Sequence, residues 1–194
     1  MKSFSVPDDA SPLGSRAFPG MMPTGGAHMA VDRQLYREAM ARVGAAVHVI
    51  TTDGPAGRHG FTASAVCSVT DDPPTLLVCQ KRTSDSNAAF KRNGVLCVNT
   101  LADAHQDLSS VFAGLTECDM AGRFAAGAWG EAVTGAPVLQ GALVVFDCRI
   151  AQVVEVGTHS VLFCEVAAIV PGEGKAGLIY FGRRYHPVGA ATPD

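Results

Sequence analysis

The chain has 194 residues, 47% hydrophobic and 17% charged, with a formal net charge of −3. At about 100–200 residues per domain this is one domain with room for a single core, and the sign of the charge excludes the basic footprint of a nucleic-acid binder or of an electrostatic membrane binder. No apolar run approaches the roughly 20 residues of a spanning helix and none follows Met1, so a cytoplasmic protein is expected.

Residues 1–30 carry Pro7, Pro12, Pro19, Pro23 and Gly25-Gly26 with no apolar period, which predicts a flexible arm ahead of a folded domain over 31–194. From Asp32, an N-cap residue type, Leu35, Ala39, Met40, Val43 and Val47 fall at helical spacing, and Gly44 is expected to end the helix. The β-branched run at 46–52, the turn residues Asp53-Gly54-Pro55-Ala56-Gly57 and the extended run 61–69 predict a hairpin. After the turn at Asp71-Asp72-Pro73-Pro74, the run 75–79 is apolar on both faces, as in an inner strand. A short helix at 87–91, a strand at 95–100 and a helix at 103–112 follow, then a long irregular segment over 113–136 that carries Arg123-Phe124 and Trp129. Loops of that length in a small domain are commonly functional. Two long strands, 143–156 and 160–170, turn at Gly157, and a last strand is expected at 178–181. With 21 Gly and 11 Pro, and strands that follow one another with few helices between, the chain reads as mostly β with a few helices, closer to an antiparallel barrel than to a βαβ sheet.

The six cysteines contain no CxxC pair to seed a metal site, and five stand in apolar stretches where a thiol behaves as a small buried hydrophobe; Cys118, in Thr116-Glu117-Cys118-Asp119, is expected to be exposed. No GxGxxG stands between a strand and a helix, and no GxxxxGK, GxSxG or HExxH motif is present. Two hydroxyl-rich stretches stand out: Thr62-Ala63-Ser64-Ala65 with Ser68, and Lys81-Arg82-Thr83-Ser84-Asp85-Ser86-Asn87. Hydroxyls, free amides and a cation are what a phosphate monoester needs, but the same residues also serve as turns and caps. His159 follows the flexible Gly157 and precedes an apolar strand, which suits either a ligand contact or a hydrogen-bonded strand end. The segment from Tyr180 to Pro187 is aromatic, cationic and glycine-punctuated, fit for a planar or phosphorylated ligand or for a solvated rim.

In order, Gly44-Ala45-Ala46-Val47, Ile50 to Arg58, Gly60 to Thr70, Pro73 to Cys79, Leu96-Cys97-Val98-Asn99 and Gly157-Thr158-His159 resemble the flavin reductase family that supplies reduced flavin to two-component monooxygenases. The likeness spans about residues 32–188. The first half, with 146–150, looks like the flavin reductases of pyrimidine utilisation. Residues 177–181 with 183–187 look more like the reductase component of 4-hydroxyphenylacetate 3-monooxygenase. The resemblance implies a homodimeric split β-barrel that passes hydride from NADH to FMN, or to FAD, for a separate flavin-dependent monooxygenase. On it, Thr62, Ala63, Ser64 and Ser68 would line the ribityl and ring side, and Ser84 and Asn87, with Lys81 or Arg82, would hold the phosphate. Val98 and Asn99 would lie beside the ring, while His159 and the segment holding Tyr180, Gly182, Arg183 and Arg184 would receive the nicotinamide nucleotide. No residue would act as acid or base, and His159 would be supporting. Asp85, an acid near a phosphate, is expected to face away.

Overall fold

A computed structural model describes residues 31–172 and 176–189. The arm expected over 1–30 lies outside the described residues. The chain enters on α1 (Arg33–Met40), whose first turn is capped by Asp32: its Oδ1 accepts from the amides of Gln34 and Leu35, each at 2.9 Å. The helix stops before Gly44, a turn earlier than the apolar spacing predicts. Val47 lies instead between the first two strands, buried at 2% exposure.

Strands β1 (Ala45–Ala46), β2 (His48–Thr52) and β3 (His59–Ala63) come next, and β4 (Val66–Asp71) and β5 (Pro74–Lys81) form a second hairpin. The expected extended run 61–69 is thus two strands broken at Ser64-Ala65. Then follow α2 (Asn87–Asn93), β6 (Val95–Thr100), a short 3-10 turn (Asp103–His105) and α3 (Gln106–Phe112). The segment read as irregular holds α4 (Met120–Ala125) and β7 (Trp129–Glu131), which pairs with β8 (Pro137–Leu139). Its end is tied down by Asp147, fully buried, which accepts from the amides of Val133 at 2.7 Å and Thr134 at 2.8 Å and from the Thr134 hydroxyl. With the Cys97 thiol also donating to Oδ1 at 3.4 Å, both oxygens of this buried carboxylate are occupied by neighbouring donors.

The thirteen-residue strands β9 (Val144–Val156) and β10 (His159–Pro171) form the longest hairpin, and β11 (Ala176–Phe181) is followed by one strand more than expected, β12 (Arg184–Gly189). Gly182 and Arg183, both at positive φ (59° and 63°), make the two-residue turn between them, the backbone that closes a tight antiparallel hairpin.

The main sheet runs β3-β2-β6-β9-β10-β5-β4. Its two edge strands, β3 and β4, are joined by only Ser64 and Ala65, so the seven strands must curl until the edges meet; no ladder joins β3 to β4, and among the described residues the barrel is not closed. The interior is one cluster fed by nearly every strand: Ile50, Val78, Leu96, Val98, Cys148, Leu162 and Cys164 around Phe90 of α2. A second cluster on the outer face packs Val49, Leu101 and Leu178 against three edge-to-face rings, Phe112, Phe124 and Trp129, with centroids 5.0–5.6 Å apart. No described helix is long and apolar enough to cross a membrane.

Cys97, Cys148 and Cys164 are buried as expected, and burial pushes the Cys164 thiol up to about 12, which keeps it protonated. Two expectations are corrected. Cys67 is exposed, because β4 is an edge strand whose outer face is open, and Cys118 is half-buried because it lies against the wall of a cavity.

Candidate functional site

Along the free edge of β3 lies a cavity of about 790 Å³. Because β3 pairs only with β2, its other row of backbone amides and carbonyls is turned toward this space, a strip of donors and acceptors with no strand to satisfy them. The facing walls come from the end of β5 and the loop after it, from the end of α3, and from α4. The Thr62 hydroxyl donates to the carbonyl of Ser109 at 2.7 Å, which fixes β3 against α3 and sets the width of the groove.

At the Ala63–Ala65 end, Cys79 donates its amide to the carbonyl of Ala65 at 3.0 Å, bringing β3 to the end of β5. Lys81, Ser84 and Asp85 line this end, and His159 faces Lys81 across the β5–β10 ladder. His159 is exposed, with Nδ1 2.9 Å from the Thr158 hydroxyl. Below them runs a buried polar chain. Ser84 and Ser86 hydroxyls are 3.0 Å apart, Gln80 donates to Ser86 at 3.0 Å, and Asn87 donates to Gln80 at 3.2 Å and to Ser160 at 3.1 Å. Glu155 closes the chain. It accepts from Ser160 and pairs with Arg82 at 3.0 Å and Lys91 at 2.6 Å; the Lys91 hydrogen bond, first, and the two nearby cations hold its carboxyl below the usual range.

The predicted site residues divide accordingly. Thr62, Ala63, Ser64, Lys81, Ser84 and His159 are brought together on one cavity. Tyr180 and Arg183 line a smaller adjoining space of about 450 Å³ that also touches Ser64, and Tyr180 a third of about 220 Å³ beside Thr62. The others lie elsewhere. Ser68 is exposed on β4, and Arg82 is spent on Glu155 and on the carbonyl of Gly157. Asn87 is buried beneath the loop rather than on the wall. Val98 is interior core, and Asn99 is fully buried, donating to the Val49 carbonyl at 2.9 Å and accepting from the Leu139 amide at 2.7 Å. Gly182 is a turn residue and Arg184 an exposed one. Asp85, expected to face away, is exposed but belongs to the cavity lining.

At the far end of the cavity His59 and Arg123, neither singled out by local sequence chemistry as a ligand residue, line the wall beside Phe112. Only the Arg123-Phe124 pair within a long loop hinted at it.

Free strand-edge amides, a cationic hydroxyl corner and an aromatic wall match a flavin nucleotide: a flat ring with hydrogen-bonding edges and a phosphate tail. The sequence profile of the flavin reductase-like domain matches residues 40–189. An NADH-dependent FMN reductase, RutF, of Ancylobacter novellus is 61% identical over 165 residues, covering 85% of this chain and 90% of its own. The protein of the same name from Yersinia enterocolitica is 52% identical over 97% of both chains. A solved Haemophilus somnus structure, provisionally described as a flavin reductase, superposes with a TM-score of 0.78 at 45% identity, over 81% of this chain and 100% of that one. The styrene monooxygenase flavin reductase of Pseudomonas putida does so at 0.71 and 26%, over 81% and 99%. The chain belongs to the flavin reductase-like domain family.

Proposed function

We infer that this protein is an NADH-dependent flavin reductase that prefers FMN, with FAD as the alternative acceptor, and that it delivers reduced flavin to a separate monooxygenase. The observation that carries the reading is the cavity running along the free edge of β3 to the Lys81–Ser84 corner, in a chain 52–61% identical to proteins named FMN reductase (NADH).

A bound flavin supplies a hydride acceptor, and the dihydronicotinamide the donor. The chain's own part is placement. The backbone of Thr62 to Ala65 aligns the ring edge, the Thr62 hydroxyl being already committed to Ser109. Lys81 and Ser84 hold the phosphate, while Glu155 draws Arg82 and Lys91 aside and keeps the Ser160–Asn87–Gln80–Ser86 chain in register beneath. His159, opposite Lys81, contacts the pyridine nucleotide at the cavity mouth, and Tyr180 and Arg183 extend that surface. Asn99 and Val98 support β2 from the core rather than touch ligand. Hydride transfer between two stacked rings asks for proximity and exclusion of water, not for an acid or base.

We read the curled sheet as a split β-barrel working as a homodimer in the cytoplasm. Leu35, Tyr36, Met40 and Val43 on and beside α1 are 46–59% exposed, an apolar face that a second copy would cover. The test is NADH oxidation by the purified full chain with FMN, FAD or riboflavin added. Consumption of NADH in proportion to flavin, fastest with FMN, is expected; flavin binding without NADH oxidation would overturn the reading in favour of a flavin carrier.

A further inference from the structure

The cavity has a second polar end that the flavin reading leaves without an occupant. From Ala63 to His59 is four residues of extended strand, roughly 13 Å at about 3.3 Å per residue, so His59 stands well away from the Lys81–Ser84 corner. Arg123 belongs to the same end. Its neighbour Phe124 packs on Phe112 with ring centroids 5.2 Å apart, and Phe112 lies directly under Gly60, next to His59. Both side chains line the cavity, and in both a buried nitrogen lacks a hydrogen-bond partner: Nδ1 of His59 and Nε of Arg123.

This is an unusual state for a guanidinium. A buried donor left unpaired is costly, and a half-buried arginine such as Arg123 ordinarily draws an anion to face it. None does among the described residues, since the ion pairs are those of Arg58, Arg82 and Lys91. Asp119 lines the same wall, but its Oδ1 caps α4 by accepting from the Gly122 amide at 2.8 Å. Arg58, whose guanidinium lies 5.5 Å over the Phe124 ring, is held by Asp53 at 2.8 Å. An arginine and an imidazole lining one space are matched by a phosphate group.

We propose that Arg123 and His59 form a second phosphate-binding end of the cavity, and that it holds the diphosphate of the pyridine nucleotide while the flavin phosphate occupies the Lys81–Ser84 corner. This rests on the reading of the cavity as a flavin and dinucleotide site. A single nucleotide monophosphate needs one such end; two ends, roughly 13 Å apart along one strand edge, suit two nucleotides whose rings overlap between them.

The test is calorimetric titration of NAD+ into the FMN-saturated full chain, with Arg123→Gln, Arg123→Lys and His59→Asn, alongside fluorescence titration of FMN and of riboflavin into the flavin-free protein. Arg123→Gln is expected to weaken NAD+ at least tenfold, Arg123→Lys to recover part of that, and His59→Asn to lose a few-fold. The ratio of KM for NADH to KM for 1-benzyl-1,4-dihydronicotinamide, a donor without phosphate, should rise at least tenfold in Arg123→Gln. Equal NAD+ affinity in parent and Arg123→Gln overturns the proposal. So does a loss seen with FMN but not riboflavin, which would give this end to the flavin phosphate, or an equal loss with the benzyl donor, which would make Arg123 a packing residue. If Arg123→Gln does not fold, Arg123→Lys decides by the same ratio. A parent protein that binds neither FMN nor NAD+ removes the underlying flavin reading together with the proposal.

Discussion

Gly60→Ala tests whether the aromatic wall of the cavity is as tightly set as its geometry indicates. A Cβ on Gly60 would stand 2.6 Å from Cε1 and 2.9 Å from Cδ1 of Phe112, and 3.2 Å from the carbonyl oxygen of Ile50. The carbonyl belongs to β2, hydrogen-bonded between β3 and β6, and cannot retreat. The ring cannot either: Phe112 is 1% exposed and wedged against Phe124 and Trp129 at 5.2 and 5.6 Å. Replacing a strand glycine by alanine would ordinarily gain about 0.5–1 kcal/mol, whereas forcing a methyl into a packed core costs about 1–3 kcal/mol. The net expectation is a loss of about 1–2 kcal/mol, or roughly 2–8 °C in Tm for a domain of this size. Thermal and urea unfolding of Gly60→Ala measure it, with Gly130→Ala as control, since nothing lies within 4 Å of a Cβ there. Shrinking the ring should relieve the clash, so Gly60→Ala with Phe112→Leu should be more stable than the sum of the single changes predicts. A Gly60→Ala protein that melts at or above the parent would refute the packing argument, and with it the claim that Phe112 is a fixed wall.

Lys81→Ala should weaken FMN by about 1 kcal/mol, roughly fivefold, because an exposed lysine-phosphate contact is worth no more, and should leave riboflavin unchanged; equal losses for both would remove Lys81 from the phosphate. His159→Ala should raise KM for NADH more than it weakens FMN, and steady-state kinetics showing the reverse would take His159 out of the nicotinamide site. His48 is buried on β2, 3.1 Å from the Thr100 hydroxyl, and burial lowers its pKa from 6.5 to about 4. The native protein therefore keeps His48 neutral while the unfolded chain protonates it, so stability holds above pH 6.5 and falls as pH drops toward 4, by at most about 3 kcal/mol. His48→Gln should flatten that part of the urea midpoint against pH, and an unchanged slope would assign the acid loss to other groups.

Strands whose two faces share one fate were legible. The run at 95–100 is mostly apolar and became β6, with five of its six residues buried, whereas the run at 75–79 became β5, paired on both edges but only half-buried. Edges were harder. β12 contains Arg184, His186 and Pro187, a composition that reads as a loop, yet it pairs with β11 at the sheet's border, where a proline costs no ladder bond on its outer side. α1 shows the opposite limit: its apolar positions fall at helical spacing, yet no residue of the helix is buried, and Leu35, Tyr36 and Met40 are exposed.

The site follows the same logic at the level of single side chains. Local chemistry found the Lys81–Ser84 corner, since residues three apart in one loop share a wall, and it found Thr62 to Ser64 because they are contiguous on one strand edge. It assigned Arg82 to the phosphate as readily as Lys81. Nothing local distinguishes the two, and only Glu155, brought across by β9 and bonded to Arg82 and Lys91, decides which cation remains for a ligand. Asn99 was misjudged for the same reason, because its partners Val49 and Leu139 arrive from β2 and β8. The net charge of −3 therefore says little about anion binding. What counts is which cations the fold leaves unpaired on the cavity, and Lys81 and Arg123, 42 positions apart in the numbering, are the two that line it without a carboxylate partner among the described residues.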